Sequence, residues 1–124
     1  PFTAGERVGF VHRSAADLEI ITYPIPIEDI DRYAVWVSHV CSMCPPFEIV
    51  YSNNPLVRRL FAEAGFDLAS VELINRAEYR GTAIRDRMIA AKSWRDRVPA
   101  PVADGIDEID GVSRLRRVAR AVDG

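Results

Sequence analysis

The residues best suited to chemistry lie in a short arginine-rich segment, residues 80–85, which read RGTAIR. Thr82 is predicted to be the N-cap of a helix, and Gly81 before it allows the backbone to approach a ligand closely. Arg85 would then occupy the third helical position, where the helix dipole favours an acidic residue, so a bound anion would explain the cation. With Arg80, the segment is a candidate phosphate clamp. The alternative is a capped helix whose arginines face water.

A second candidate site lies at residues 51–55, which read YSNNP and join a predicted strand to a predicted helix. Asn54 and Pro55 are residue types preferred at the N-cap and at the first position of a helix. In open α/β sheets, ligands bind beyond the carboxyl ends of the strands, usually at helix N-termini. Ser52 and Asn54 are therefore candidate ligand-binding residues.

The two cysteines, Cys41 and Cys44, form a CxxC pair at the end of a predicted helix, before two prolines. A redox-active pair lies instead at a helix N-terminus, where the dipole lowers the thiol pKa. The sequence has no further cysteine to complete a zinc site. We therefore expect buried thiols that take no part in chemistry.

Other polar and aromatic residues have simpler structural interpretations. His39 follows Trp36 by three residues on a predicted helix, so it could approach a ligand, but packing is the more common role of a lone histidine. Asp29 and Asp31 are expected to be turn and cap residues rather than metal ligands. Trp94 is expected to anchor the last helices, and no metal site formed by the protein is predicted.

The elements that position these residues alternate between helix and strand. Helices are predicted over residues 4–14, 34–43, 55–64, 82–92, 99–110 and 113–122, and strands over residues 18–27, 47–51 and within 67–74. This alternation is typical of an α/β fold with a parallel sheet and crossover helices. Thr3 and Glu6 have the spacing of a capping box, and Gly65 is a good residue to end a helix.

Three strands would make a thin sheet, and the chain opens on a helix start. We therefore expect residues 1–124 to be the C-terminal portion of a single domain and to end in a helical tail. A strand–helix unit is expected to precede them. About 40 to 50 residues would supply one such βαβ unit.

Composition excludes several classes of protein. The chain has 124 residues, of which 48% are hydrophobic and 27% charged, so it is neither disordered nor fibrous. Its net charge of −2 creates no field that would draw it to nucleic acid or to a membrane. The arginines of residues 114–120 alternate with apolar residues, as in an ordinary amphipathic helix. A cytoplasmic protein is expected.

Several segments of the chain match one family in order. They are residues 1–7 (PFTAGER), 36–40 (WVSHV), 45–61 (PPFEIVYSNNPLVRRLF) and 80–85, with further matches at Trp94 and at residues 98–99, 108–109 and 111–116. On these segments the chain resembles the archaeal-type nicotinamide-nucleotide adenylyltransferases of the nucleotidyltransferase superfamily, whose SGTxIR motif is similar to RGTAIR.

The resemblance implies a Rossmann-like nucleotidyltransferase fold and an enzyme of NAD biosynthesis. Such an enzyme makes NAD from ATP and nicotinamide mononucleotide (NMN) with Mg²⁺, and it releases pyrophosphate. The NMN phosphate attacks the α-phosphorus of ATP directly, so the protein supplies alignment and charge stabilisation rather than a nucleophile. The resemblance also implies small-molecule nucleotides as the only partners besides further copies of the chain, in a homo-oligomer such as a hexamer.

By resemblance, Arg85 is the catalytic arginine that grips the ATP phosphates. The residues implied for ATP binding are Gly81, Thr82, Ile84, Arg85, Ser52 and Asn54. Trp36 matches the aromatic residue that stacks on the nicotinamide ring, as expected for an electron-poor pyridinium over an indole. Ile30 and Tyr33, about one turn upstream, are expected to line the same NMN pocket.

The sequence departs from the family pattern at three places. The HxGH motif that contacts the ATP phosphates is absent from this chain, Arg80 replaces the first serine of SGTxIR, and Tyr33 stands where the family usually has asparagine. Two alternatives follow from these departures. Tyr33 is compatible with another acceptor on the same fold, and the absent motif with a nucleotide-binding domain that is not catalytic as this fragment.

Overall fold

Helices form most of the computed structural model, which describes residues 2–123 and, of residue 123, the backbone alone. Pro1, the first residue of the matched PFTAGER segment, and Gly124, the last residue of the predicted domain, lie outside the described residues. The chain divides into a helical unit, residues 2–26 and 74–123, and an α/β unit, residues 27–73. The small parallel sheet and the many helices make the protein an α/β protein.

The helical unit contains α1 and the elements that follow residue 74. They are α1 (Ala4–Asp17), α4 (Arg76–Tyr79), α5 (Gly81–Ile89), a short 3-10 helix (Arg95–Arg97), α6 (Ala100–Glu108) and α7 (Gly111–Asp123). Helix α1 packs on α6, and both α5 and α6 pack on α7. The predicted capping box starts α1, because the Thr3 hydroxyl accepts from the Glu6 N–H and the Glu6 carboxylate accepts from the Thr3 N–H.

The core of this unit joins one face of each longer helix. Its buried members are Ile84, Met88, Trp94, Ala103, Ile106 and Leu115. The predicted packing role of Trp94 is therefore confirmed. Helices α1 and α6 approach closely at Gly105, where a Cβ atom would lie 2.8 Å from the Phe10 ring. A side chain at Gly105 would require the Phe10 ring or the helix that carries it to shift.

Among the described residues, three ion pairs also connect elements of the helical unit. Arg114 of α7 donates to Glu6 of α1 at 2.6 Å, and this hydrogen bond is the main reason that the pKa of Glu6 falls from 4.5 to about 2. Arg13 of α1 holds Glu108 of α6 through two hydrogen bonds of 3.1 and 2.9 Å, which lower the pKa of Glu108.

The third ion pair joins the 3-10 helix to α6. Arg95 donates two hydrogen bonds to Asp107, and they lower the pKa of Asp107 in the same way. In all three pairs the ionised carboxylate is the form that the fold stabilises.

The α/β unit is built on one parallel pair of strands. Its elements are α2 (Tyr33–Met43), β1 (Ile49–Tyr51), α3 (Pro55–Glu63) and β2 (Asp67–Ala69). The strands pair in the register Ile49 with Asp67, Val50 with Leu68 and Tyr51 with Ala69. Helix α3 connects them, so the predicted parallel sheet with a crossover helix is confirmed for this pair.

Side chains extend the pairing beyond the carboxyl ends of both strands. The Asn53 amide exchanges two hydrogen bonds with the backbone of Val71, which adds a rung where the ladder has ended. Arg58 of α3 donates from one guanidinium nitrogen to the carbonyls of Ser52 (2.9 Å) and Ala69 (3.0 Å). These contacts hold the start of α3 at the carboxyl edge of the sheet.

The predicted strand over residues 18–27 is wrong. No residue of this segment pairs with another strand in the described part of the chain, and Ile21 is 91% exposed. A strand requires a neighbour as well as β-branched residues, and Pro24 and Pro26 each lack the N–H that a ladder would use. The structure accordingly has two strands in its described residues where the sequence predicted three.

Two further predictions need correction. Helix α5 begins at Gly81 and ends at Ile89, rather than spanning residues 82–92, because Ala91 adopts a left-handed conformation with φ 57°. The cysteines are not buried: Cys41 is exposed and Cys44 is only partly covered. Of the α2 residues, Val40 is the one that is buried, and neither thiol joins it in the core.

Candidate functional site

A pocket of about 320 Å³ lies in the α/β unit, which is within the size range of small-molecule sites. Three elements form it: the loop before α2, helix α2, and the first turns of α3. Its lining residues are Ile27, Glu28, Asp29, Tyr33, Trp36, Asn54, Leu56, Val57 and Leu60. The pocket therefore has an apolar wall, two aromatic rings and two carboxylates.

Trp36 is held in this pocket from behind. Its ring meets Phe61 of α3 edge-to-face, with the ring centroids 5.7 Å apart, and Phe61 is only 3% exposed. Phe47 and Phe66 also contact Phe61 and complete an aromatic cluster. Because the indole packs against this cluster and stays partly exposed, it can accept a planar ring without a change of rotamer.

Tyr33 lies one turn before Trp36 on α2 and also lines the pocket. The spacing of three residues places both rings on the same face of the helix. Tyr33 is 60% exposed, so its ring stands near the mouth of the pocket. Ile30 is half-buried in the loop before α2 and is not among the lining residues.

The loop before α2 is fixed by two hydrogen bonds. His39 donates from Nε2 to the Glu28 carbonyl at 3.0 Å, so its structural role is confirmed, and the Asp31 N–H donates to the Asp29 carboxylate at 3.2 Å. Asp29 is therefore the turn residue that the sequence predicted. Asp29 lines the pocket as well, as does Glu28, which the sequence did not single out.

Asn54 caps α3 as predicted, since its side-chain oxygen accepts from the N–H groups of Leu56 (2.9 Å) and Val57 (3.3 Å). It also lines the pocket. Ser52 accepts from the Asn54 N–H at 3.2 Å and is not among the lining residues. The first turn of α3, including Leu56 and Val57, was missed as a pocket wall because a sequence pattern does not specify which side chains meet across elements.

The RGTAIR segment starts α5 in the helical unit. Thr82 is not the N-cap: that position belongs to Arg80, whose backbone is extended and whose side chain makes no capping bond. Arg85 is consequently at the fifth helical position rather than the third. The N–H groups of Gly81, Thr82 and Ala83 have no acceptor within the helix and are oriented toward its N-terminal end.

Arg85 folds back toward that end of α5. A Cβ atom at Gly81 would lie 2.8 Å from a guanidinium nitrogen of Arg85, so the absence of a side chain at Gly81 leaves room for the guanidinium. No carboxylate within residues 2–122 forms an ion pair with Arg85. The guanidinium and the helix dipole thus create positive potential in one place, which suits a phosphate.

The other residues predicted in this segment differ in exposure. Thr82 and Gly81 are exposed, whereas Ile84 is 9% exposed and packs in the core beside Met88. Ile84 can therefore reach a ligand only through its backbone. Within the described residues no group of three His, Cys, Asp or Glu residues could hold a metal ion.

Helices long and apolar enough to span a membrane are absent from the described part of the chain.

Comparison with known proteins gives several close relatives. The chain is 53% identical over 119 residues to the nicotinamide-nucleotide adenylyltransferase of Haloarcula marismortui. This alignment covers 96% of the chain and 63% of that relative. It is 52% identical over 121 residues to the enzyme of that name from Methanolobus tindarius, covering 98% of the chain and 70% of the relative. For the one from Methanoculleus marisnigri, identity is 55% over 119 residues, with 96% and 71% covered. No protein-family model matches the chain.

Proposed function

Because the chain belongs to the family of nicotinamide-nucleotide adenylyltransferases, we propose that the protein transfers the adenylyl group of ATP to NMN. The products are NAD and pyrophosphate. The similarity to these relatives along nearly the whole chain carries the proposal, and the pocket around Trp36 and the start of α5 supply the two kinds of surface that the substrates need. The parallel pair β1–α3–β2 supports the finer assignment to a Rossmann-like nucleotidyltransferase fold.

The reaction is a single displacement at phosphorus. An oxygen of the NMN 5′-phosphate forms a bond to the α-phosphorus of ATP, and the bond between that phosphorus and the β-bridging oxygen breaks. Pyrophosphate leaves with the electron pair. The protein has to align the two phosphates and stabilise the negative charge that grows on the leaving group.

Arg85 and the N-terminal turn of α5 are the groups that stabilise this charge. The guanidinium provides a fork of donors to phosphate oxygens, and the free N–H groups of Gly81 and Thr82 add donors from the backbone. Mg²⁺ would enter as the complex with ATP, bound to substrate phosphates and water, and would neutralise phosphate charge there.

Trp36 positions the acceptor. Its indole stacks on the pyridinium ring, and Tyr33 and the Asn54 side chain border the same pocket. Ile30, in the preceding loop, does not line the pocket, and Ser52 supports the turn that carries Asn54. Assembly into a homo-oligomer and location in the cytoplasm stay predictions.

A panel of acceptors tests the proposal against its alternatives. The protein is incubated with Mg²⁺, ATP labelled at the α-phosphate, and one of NMN, nicotinamide riboside, AMP or ribose 5-phosphate. We expect label in a dinucleotide with NMN alone, because the pocket fits a pyridinium ring and the attack needs a phosphate. Transfer to AMP or ribose 5-phosphate in preference to NMN would favour the alternative that Tyr33 suggests, an enzyme of the same fold with another acceptor. Binding of ATP without transfer to any acceptor would favour a non-catalytic nucleotide-binding domain.

A further inference from the structure

One face of helix α3 forms a wall of the pocket, and the opposite face carries an arginine to which the reaction assigns no role. Leu56, Val57 and Leu60 line the pocket. Successive residues of an α-helix are turned by about 100°, so Arg58 lies on the face of α3 opposite to these three. Arg58 is half-buried, and no carboxylate within residues 2–122 forms an ion pair with it.

The Arg58 guanidinium connects α3 to the ends of both strands. Its Nη1 donates to the Ser52 carbonyl at 2.9 Å and to the Ala69 carbonyl at 3.0 Å. Ala69 is the last residue of β2, and Ser52 directly follows β1. Because the donor is charged and the bonds are partly buried, each is stronger than a hydrogen bond between neutral groups. Arg58 thus ties the first turns of α3 to the carboxyl edge of the sheet.

The position of α3 determines two parts of the pocket. Leu56 and Val57 form its wall, and Phe61 supports the Trp36 ring edge-to-face at 5.7 Å between centroids. The remaining sides belong to α2 and to the loop before it. A displacement of α3 from the sheet would therefore change the space between the wall and the indole.

We propose that Arg58 is a positioning residue for the acceptor nucleotide, because it fixes α3 on the sheet and so sets the width of the pocket. The inference rests on the proposed function, which assigns NMN to this pocket. Arg58 acts through α3 and not by contact with the reacting phosphates. Its loss should therefore weaken the binding of NMN in the ground state and the transition state alike, which raises KM and leaves kcat nearly unchanged.

A purely structural role for Arg58 predicts a different result. Replacing an arginine that only stabilises the fold would lower the free energy of unfolding. The affinity of the folded fraction for NMN would then be the same as in the parent protein. Affinity measured on folded protein separates the two roles.

The test compares Arg58→Met with Arg59→Met. Methionine keeps an unbranched apolar side chain and removes the donors. Arg59 is the next residue of α3, is exposed and pairs with Glu63 one turn later, so it is the matched control. Calorimetry gives the dissociation constants of NMN and ATP, urea unfolding shows that each variant is folded, and NAD formation gives KM and kcat.

We expect Arg58→Met to bind NMN about tenfold more weakly than Arg59→Met, because a small misplacement of a positioning wall is costly. Its KM for NMN should rise by about tenfold, with kcat within about threefold of the control. ATP affinity should change by less than about twofold, because Arg85 and the start of α5 belong to the helical unit.

Arg58→Lys tests whether a donor at this position restores the pocket. Its ammonium keeps the charge and can donate to the same carbonyls, but without the fixed geometry of the guanidinium. We expect NMN binding about threefold weaker than in the parent protein, between the parent and Arg58→Met. If Arg58→Met does not fold, this variant decides, and NMN affinity equal to that of the parent would overturn the inference.

Equal NMN affinities in folded Arg58→Met and Arg59→Met would also overturn the inference, as would an equal loss of NMN and ATP affinity. If NAD forms in both variants with the same KM for NMN, the inference fails alone and the proposed function stands. If NMN affinity depends on Arg58 but the parent protein forms no NAD, the positioning role stands and the proposed function fails. If the parent protein does not bind NMN, both are wrong.

Discussion

At the level of single residues, the two sequence motifs lead to sites of different kinds. Trp36 belongs to a pocket with packed walls, whereas Arg85 belongs to an exposed helix start. The sequence singled out Arg85 because a cation is unusual near a helix start, and Trp36 because it matches the stacking aromatic residue of the family that the chain resembles. It did not predict Glu28 or Leu56 in the pocket, since neither type is distinctive and their meeting depends on how the loop packs against α3.

Replacing Arg85 with alanine tests the phosphate site. The change removes a charged donor with no carboxylate partner among residues 2–122, so we expect ATP binding or turnover to weaken by about tenfold or more. Calorimetric titration with ATP and the rate of adenylyl transfer measure it. Arg117→Ala, at an exposed position of α7, is the control. An Arg85→Ala variant that matches this control would remove Arg85 from the site.

Replacing Trp36 with alanine tests the stacking role. Loss of the indole should weaken NMN binding by about tenfold and leave ATP binding nearly unchanged. Trp36→Phe keeps an aromatic face and should lose less. Because Trp36 also contacts Phe61, the unfolding free energy of each variant is measured alongside. Unaltered NMN affinity in folded Trp36→Ala protein would contradict the assignment.

At the level of helices and strands, most helix-capping signals were confirmed, whereas the N-cap predicted at Thr82 and the strand predicted over residues 18–27 were wrong. The capping box at Thr3, the Asn54–Pro55 helix start and the stop at Gly65 all occur where predicted, because each depends on a few neighbouring residues. The segment of residues 18–27 has the residue types of a strand and no partner in the described chain. A strand also needs a partner segment to pair with, and residue type alone does not reveal whether one is present.

Asn54→Ala tests how much the N-cap stabilises α3. Its side-chain oxygen accepts two backbone N–H groups, so removing it should lower the unfolding free energy by about 1 kcal/mol. Asn54→Ser retains an acceptor, so its unfolding free energy should lie within about 0.3 kcal/mol of that of the parent protein. Urea unfolding gives both values. Equal stability of the two variants would mean that the cap contributes nothing.

At the level of the whole molecule, family resemblance predicted more than element patterns did. The matched segments extend along almost the entire chain, so they identified the family even though one of three predicted strands was wrong. What the motifs could not supply is the set of contacts between distant segments, such as Arg114 with Glu6 and Arg13 with Glu108. Those pairs form only when α1 meets α6 and α7.

These ion pairs predict a loss of stability in acid. The pKa of Glu6 is about 2 in the folded protein against 4.5 for the free side chain, and the pKa values of Asp107 and Glu108 are also lowered. A lowered folded pKa adds stability above the unfolded value, and this contribution disappears as the pH falls toward the folded value. The unfolding free energy should therefore decrease from about pH 4.5 to about pH 2.

Glu6→Gln checks the cause of that decrease. Glutamine preserves the capping box with Thr3 but cannot ionise, so its unfolding free energy should decline less steeply over this pH range. Chemical unfolding at a series of pH values provides the comparison. Parallel curves for the variant and the parent protein would exclude Glu6 as a contributor.

The most direct test of the proposed function is one reaction containing the protein, ATP, NMN and Mg²⁺, with NAD and pyrophosphate quantified together. Direct attack of the NMN phosphate on the α-phosphorus predicts that the two products accumulate in equal amounts, with no AMP. ATP consumed to AMP and pyrophosphate without NAD, or no consumption of ATP at all in protein that binds it, would contradict the assignment of adenylyl transfer to NMN.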